Sequence, residues 1–136
     1  MKIPGLIIIG LILFTSCKKD NEDRIPDVFV DYHVTIQEFN IKAASGVLLV
    51  NGKGVAGLII YRRPDNNYVA YDRCSSVNPE QKCAVTPDEP LTATDPCSGA
   101  KFSLYDGTPM KDPAKRPLKQ YYVYITNNSE IHVTNQ

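Results

Sequence analysis

The chain has no tryptophan and only two histidines, His33 and His132. Neither stands near a cysteine, so no thiol and imidazole pair for nucleophilic catalysis is readable from neighbouring residues; Cys74, which Asp72 and Arg73 could tune, is the candidate thiol for such a role. The 15 basic and 15 acidic residues cancel, and removing Lys2 with the leader described below leaves one acidic charge in excess. That balance lends no support to binding nucleic acid or acidic lipid. Glycine-rich phosphate loops, basic stripes interleaved with aromatics and internal repeats are all missing from the sequence. So are capped segments of helical periodicity beyond the leader, which leaves an all-β fold as the expectation. What the chain has in quantity is tyrosine, with eight residues. Tyr122 and Tyr124 share one face of a predicted strand with Tyr121 opposite, an arrangement that suits cross-strand packing or an aromatic recognition surface.

A length of 136 residues suffices for one domain, and residues 1–16 are set apart from it. Met1-Lys2 is a minimal positive start, residues 7–14 are a short apolar run, and Phe14-Thr15-Ser16-Cys17 ends it with small residues before a cysteine. This is the pattern of a secretory signal, too short to span a membrane easily. Its end resembles the cleavage site of bacterial lipoproteins. The resemblance implies acylation of Cys17 with chains such as palmitate and a domain held at a membrane, each buried CH₂ contributing about 0.8 kcal/mol. An uncleaved anchor helix is the alternative, because Phe14 stands where leucine is preferred. Residues 17–26 are polar, have no apolar face and read as a solvated tether. Lys18 next to Cys17 is similar to sorting signals that favour the outer membrane, with the domain in the periplasm or at the cell surface.

From Asp27 onward Val28, Val30, Tyr32, Val34 and Ile36 alternate with Phe29, Asp31, His33 and Thr35, which predicts a half-buried strand with His33 on its wet face. Residues 37–45 read as a connection. Asn51-Gly52 between the apolar runs 47–50 and 55–61 predicts a hairpin with a type I′ turn. Residues 68–71 form the next strand, 72–82 a long polar loop, and 83–86 with 91–94 a small hairpin that 101–104 extends. Pro109, Pro113 and Pro117 bar the 109–117 stretch from being a central strand or a helix. Residues 118–125 and 131–133 close the chain as a last hairpin. About eight or nine short strands at this spacing point to a sandwich or barrel.

Two cysteine loops lie inside this pattern, Tyr71-Asp72-Arg73-Cys74-Ser75-Ser76 and Thr94-Asp95-Pro96-Cys97-Ser98-Gly99-Ala100-Lys101-Phe102. The second resembles the Rieske iron–sulfur loop, Cys-Pro-x-His-Gly-Ser-x-Phe, and the first resembles its Cys-x-His partner. Pro96, Gly99 and Phe102 fall on the motif's Pro, Gly and Phe. Asp95 stands at the ligand cysteine and Ser98 at the ligand histidine, while Cys74 keeps the other ligand cysteine and Ser76 replaces the other histidine. Asp106-Gly107 and residues 112–118 are similar to the family's turn glycine and to the proline segment that packs over its loops. Covering roughly residues 47–133, the resemblance implies a Rieske-like antiparallel β sandwich or barrel, residues 27–136, with a small inserted subdomain carrying both loops.

The cofactor that such a fold implies takes two thiolates and two imidazoles. Replacing three of the four by hydroxyls and a carboxylate puts hard oxygen donors where soft sulfur is wanted. No cluster and no metal are therefore expected. The alternative is an electron carrier that holds a [2Fe–2S] or other centre through Cys74, Cys83, Cys97 and Asp95. Acylated Cys17 leaves three cysteines, hence at most one disulfide, and an oxidising envelope favours it. In high-potential Rieske proteins a second cysteine in each loop ties the loops together. By that resemblance Cys97 pairs with Cys83, and Cys74 with Cys97 stays open as the other pairing. A bridge from 83 to 97 closes a loop whose chain entropy is worth about 3 kcal/mol. Asp72, Asp88 and Asp95 are expected to be solvated or bonded to their own backbone in turns. The function these features imply is a structural or binding module of the cell envelope, with an envelope protein as possible partner; an unrelated β-sandwich adhesin or inhibitor is a further reading.

Overall fold

The computed structural model describes residues 24–88 and 91–136. The leader, Cys17 and most of the tether lie outside the described residues. Among the described residues there are ten strands: β1 (Asp31–Thr35), β2 (Val47–Val50), β3 (Leu58–Arg62), β4 (Tyr68–Asp72), β5 (Thr86–Asp88), β6 (Thr92–Thr94), β7 (Lys101–Ser103), β8 (Pro109–Lys111), β9 (Gln120–Thr126) and β10 (Glu130–Thr134). Six make an antiparallel sheet in the order β1-β10-β9-β4-β3-β2, and four make a second in the order β5-β6-β7-β8. The first sheet is continuous across β4 and β9, through Ala70 opposite Tyr121 and Tyr71 opposite Gln120. The smaller sheet is thus an insertion between two paired strands, as the resemblance implied.

Alternation along β3 explains where that insertion docks. Leu58 and Ile60 point into one core with Val34, Phe39, Ile131 and Val133, while Ile59 and Tyr61 point into another with Phe102, Leu104 and Leu118. The neighbouring strand divides likewise, Ala70 joining the first core and Val69 and Tyr71 the second. A strand buried on both faces needs an apolar residue at every position, and Leu58-Ile59-Ile60-Tyr61 supplies one. Each fully buried large side chain contributes about 1.5–3 kcal/mol, so β3 and β4 form a shared wall that fixes the subdomain to the larger sheet.

Three local expectations are corrected. A helix, α1 (Ile36–Lys42), follows β1 directly, where a connection and no helix had been expected. Thr35 caps it, its Oγ1 accepting from the Glu38 amide at 3.0 Å, and Phe39 is buried beneath it. The spacing Thr35-x-x-Glu38 is a helix-start signal hidden by the period-two pattern running into Ile36. The hairpin of β2 and β3 forms, with Val47 opposite Tyr61 and Val50 opposite Leu58, but residues 51–57 connect it and not a two-residue turn. Positive φ falls on Gly52, Gly54 and Gly57, and the longer loop folds back so that the Val55 and Ala56 amides reach the Asp72 carboxylate. Finally, the small hairpin pairs Thr86 with Thr94 and Asp88 with Thr92, so Cys83 precedes the strand. Pro87 and Pro109 are tolerated because β5 and β8 are the edges of their sheet.

Candidate functional site

Asp95 is the centre of the second loop. Its amide donates to the Ala100 carbonyl and its carbonyl accepts from the Gly99 amide, both at 2.8 Å, closing a tight turn. Gly99 sits at φ +76° in that turn, a conformation that side chains other than glycine adopt only with strain. The Asp95 carboxylate is fully buried. Oδ2 accepts from Ser75 Oγ of the first loop at 2.7 Å and from Ser98 Oγ at 2.6 Å, and Oδ1 accepts from the Cys97 amide at 2.8 Å. Burial pushes this carboxyl's pKa up, but the Ser98 and Ser75 hydroxyls and the Cys97 and Ser98 amides outweigh it and hold the group below its ordinary value. A single carboxylate, standing at a ligand-cysteine position, therefore ties the two loops to each other.

The first loop is built on a second buried carboxylate. Asp72 Oδ1 accepts from the Cys74 amide at 2.8 Å and the Ala56 amide at 3.1 Å, and Oδ2 accepts from the Val55 amide at 2.6 Å and Tyr121 Oη at 2.7 Å. Cys74 is buried and free, with its thiol 3.5 Å from the Pro79 carbonyl. Burial, with the Asp72 carboxylate beside it, pushes this thiol up to about 11, so it stays protonated near neutrality and is a poor nucleophile. Ser76, at the ligand-histidine position, donates to the Arg116 carbonyl at 2.6 Å. The proline segment thus lies against the first loop, where the resemblance put it, and Leu118 ties it back through its amide to the Gly107 carbonyl at 3.0 Å. Gly107 is required there: at φ +78°, a Cβ would come within 2.8 Å of the Tyr71 ring.

A disulfide joins Cys83 to Cys97 with their Cα atoms 6.2 Å apart, and Cys74, the alternative partner for Cys97, is left out of it. Breaking the bridge with the Cys83→Ala/Cys97→Ala pair is expected to lower unfolding free energy by about 3 kcal/mol, read as a fall in the urea midpoint that reductant reproduces in the parent protein and not in the double variant. An unchanged midpoint would show that the hydrogen bonds of Asp95 hold the loops unaided.

Of the expectation that these aspartates are solvated or bonded to their own backbone, the backbone bond is found at Asp72 and Asp95, each accepting from the amide two residues on, and the solvation is corrected for both. Asp72 and Asp95 are fully buried because each collects donors from distant segments; Asp88 is partly buried and paired with Lys101 and Thr94. A signal was present in the sequence. Asp72-Arg73-Cys74-Ser75 and Asp95-Pro96-Cys97-Ser98 share the spacing Asp-x-Cys-Ser, and in both the aspartate accepts from the amide two residues on, the bond that starts an Asx turn. Ser75, which donates to Asp95 and accepts from the Val77 amide, had no predicted role. Tyr121 is buried on Asp72, whereas Tyr122 and Tyr124 are exposed on the opposite face. His33 and His132 lie on β1 and β10, not in the loops.

An antiparallel sheet interrupted by a four-stranded subdomain that carries two facing loops, one with a Pro-Cys-x-Gly turn, defines a Rieske-like all-β fold. The comparisons with solved structures agree. The chain is similar to the cyanobacterial plasma membrane Rieske protein PetC3 from Synechocystis, with a TM-score of 0.58 and 24% identity over 79% of this chain and 98% of that one. It is also similar to a chain in the complex of reduced oxygenase and oxidized ferredoxin of carbazole 1,9a-dioxygenase (TM-score 0.54, 21% identity, 78% of this chain and 94% of that one). A third similar structure is the ferredoxin of carbazole 1,9a-dioxygenase from Nocardioides aromaticivorans (0.52, 18%, 76% and 98%). No protein-family model and no curated protein matches the chain.

Proposed function

We propose that this protein is a lipoprotein anchored in the cell envelope through acylated Cys17, and that its Rieske-like domain works without a [2Fe–2S] cluster as a structural or binding module. The observation that carries the second part is the engagement of Asp95. Its carboxylate is committed to Ser75, Ser98 and the Cys97 amide, and Ser76 is committed to the Arg116 carbonyl. The four ligand positions offer one protonated thiol and three oxygen groups already bonded to one another or to backbone. Such a set does not fit a centre that needs two thiolates and two imidazoles. A membrane through the lipid anchor, outer membrane by the Lys18 signal, and another envelope protein are the partners in this reading; nucleic acid is not.

The alternative of an electron carrier draws on one group of atoms. Cys83, Asp95 and Cys97 bring ligand atoms within 4.8 Å of one another, so reduction of the disulfide would offer two thiolates and a carboxylate. One experiment separates the readings: the full chain, purified in detergent from iron-replete cells, is assayed for visible absorbance, iron and acid-labile sulfide. A colourless, iron-free protein is expected, and a brown protein with stoichiometric iron and sulfide would overturn the proposal. Separately, Cys17→Ala is expected to abolish incorporation of labelled palmitate and shift the protein out of the membrane fraction; retained label would end the anchor assignment.

A further inference from the structure

His33 and His132 are direct cross-strand partners on the exposed face of β1 and β10. Their rings stack with centroids 3.8 Å apart. Asp31, two residues before His33 and so on the same face, places Oδ1 3.1 Å from His33 Nε2 and 2.6 Å from His132 Nε2. One carboxylate oxygen and two imidazole nitrogens thus lie within 4.8 Å of one another. On its other side His33 Nδ1 is 2.6 Å from Glu130 Oε1. In the neutral tautomer whose Nδ1–H donates to Glu130, His33 Nε2 presents a lone pair toward Asp31 that a cation shared with the carboxylate satisfies; in the imidazolium form the same atom donates to Asp31, so proton and metal ion compete for one place.

We propose that Asp31, His33 and His132 form a surface site for a divalent transition-metal ion, Zn²⁺ in the first instance, with Glu130 orienting His33. Two imidazoles and a carboxylate are a donor set that suits zinc and its neighbours among the late transition metals. A carboxylate behind a ligating histidine is the usual outer support of such a ligand. The frame is rigid where it needs to be. Both histidines stand on paired strands, and His132, only 15% exposed, has the Tyr124 ring edge-on at 4.6 Å. The stacked rings, 19° apart in plane, aim their Nε2 lone pairs along nearly parallel lines, so His33, about half exposed like Asp31, has to swing out of the stack to bring its nitrogen to about 2.0–2.1 Å from an ion held by His132. Lys53 donates to the Asp31 backbone carbonyl at 3.3 Å and, among the described residues, leaves the carboxylate to the ligands. Solvent access on the His33 side leaves a coordination position for water or for a donor group from a partner. Because β1 is the edge of its sheet, the ion also clips that edge to β10.

This site shares no residue with the cysteine loops and stands or falls independently of the reading given to them. The full chain in detergent is titrated with ZnCl₂ by calorimetry, its thermal midpoint is followed against Zn²⁺ concentration, and the spectrum of the Co²⁺ form is recorded. One ion per chain is expected, with a midpoint that rises with Zn²⁺ and a cobalt spectrum free of thiolate charge-transfer bands. His33→Gln and His132→Gln should each weaken binding at least tenfold, and Glu130→Gln about tenfold. Asp31→Asn provides a ligand variant of unchanged shape, and circular dichroism confirms the fold of each. Absence of saturable binding, binding unaffected by the histidine changes, or a thiolate band that places the ion on Cys74 would overturn the assignment.

Discussion

Asp72→Ala is expected to destabilise the domain by on the order of 5 kcal/mol, at the upper end of what a single substitution does. The carboxylate is fully buried and accepts from the Val55, Ala56 and Cys74 amides and from Tyr121 Oη. Alanine leaves the buried Cys74 amide and Tyr121 hydroxyl without an acceptor, at a cost of about 1–3 kcal/mol for each one stranded, and takes the acceptor from the half-buried Val55 and Ala56 amides as well. The costs do not simply add, since the loop at 51–57 can relax, but a domain of this size holds only about 5–15 kcal/mol in total. The variant therefore sits at the edge of folding. Tyr121→Phe strands no donor and leaves the other bonds of Asp72 in place, so its loss should be about 1.5–3 kcal/mol. Urea unfolding followed by far-UV circular dichroism and tyrosine emission, the chain having no tryptophan, measures both. An alanine variant within about 1 kcal/mol of the parent would show that Asp72 is not the hub the geometry makes it.

Asp95→Ala should cost about 3–5 kcal/mol by the same mechanism, stranding the Ser75 and Ser98 hydroxyls and the Cys97 amide. The pH dependence gives this prediction a sharper form. Asp95 is held below its ordinary value of 3.8 in the folded protein, so the unfolded chain takes up its proton first as pH falls. Its contribution is therefore fully present above the unfolded pKa and is lost as pH drops through the folded one. The stability difference between the parent and Asp95→Asn, which does not titrate there, should be constant near neutrality and should shrink on the acid side of about pH 4. A difference that stayed constant down to pH 2 would mean that the carboxylate is not held ionised by its hydroxyl donors.

These two aspartates also mark the limit of what the chain's letters disclose. Strands β3, β4, β9 and β10 were legible because apolar periodicity is a local property, and the prolines at 87 and 109 stand on edges, the place where a missing amide is tolerated. The loops were legible for a similar reason: Pro96, Gly99 and Phe102 serve a turn that closes within a few residues. Helix α1 escaped because it is only seven residues long and its cap falls inside a strand-like alternation. The hairpin connection at 51–57 was misjudged because its length answers to Asp72 across the sheet and not to the Asn51-Gly52 pair itself.

By itself, then, the sequence determined the all-β class, the alternation that builds the shared wall of β3 and β4, and the turn chemistry of the two cysteine loops, since each depends on residues a few positions apart. The tertiary structure decided which groups those loops hold. Ser75 and Asp95 are 20 residues apart and Asp72 and Tyr121 are 49 apart, and only the pairing of β4 with β9 and the docking of the inserted sheet bring them within bonding distance. A carboxylate in water and a carboxylate with every lone pair occupied are the same letter in a sequence; the burial that tells them apart arises when the two sheets meet.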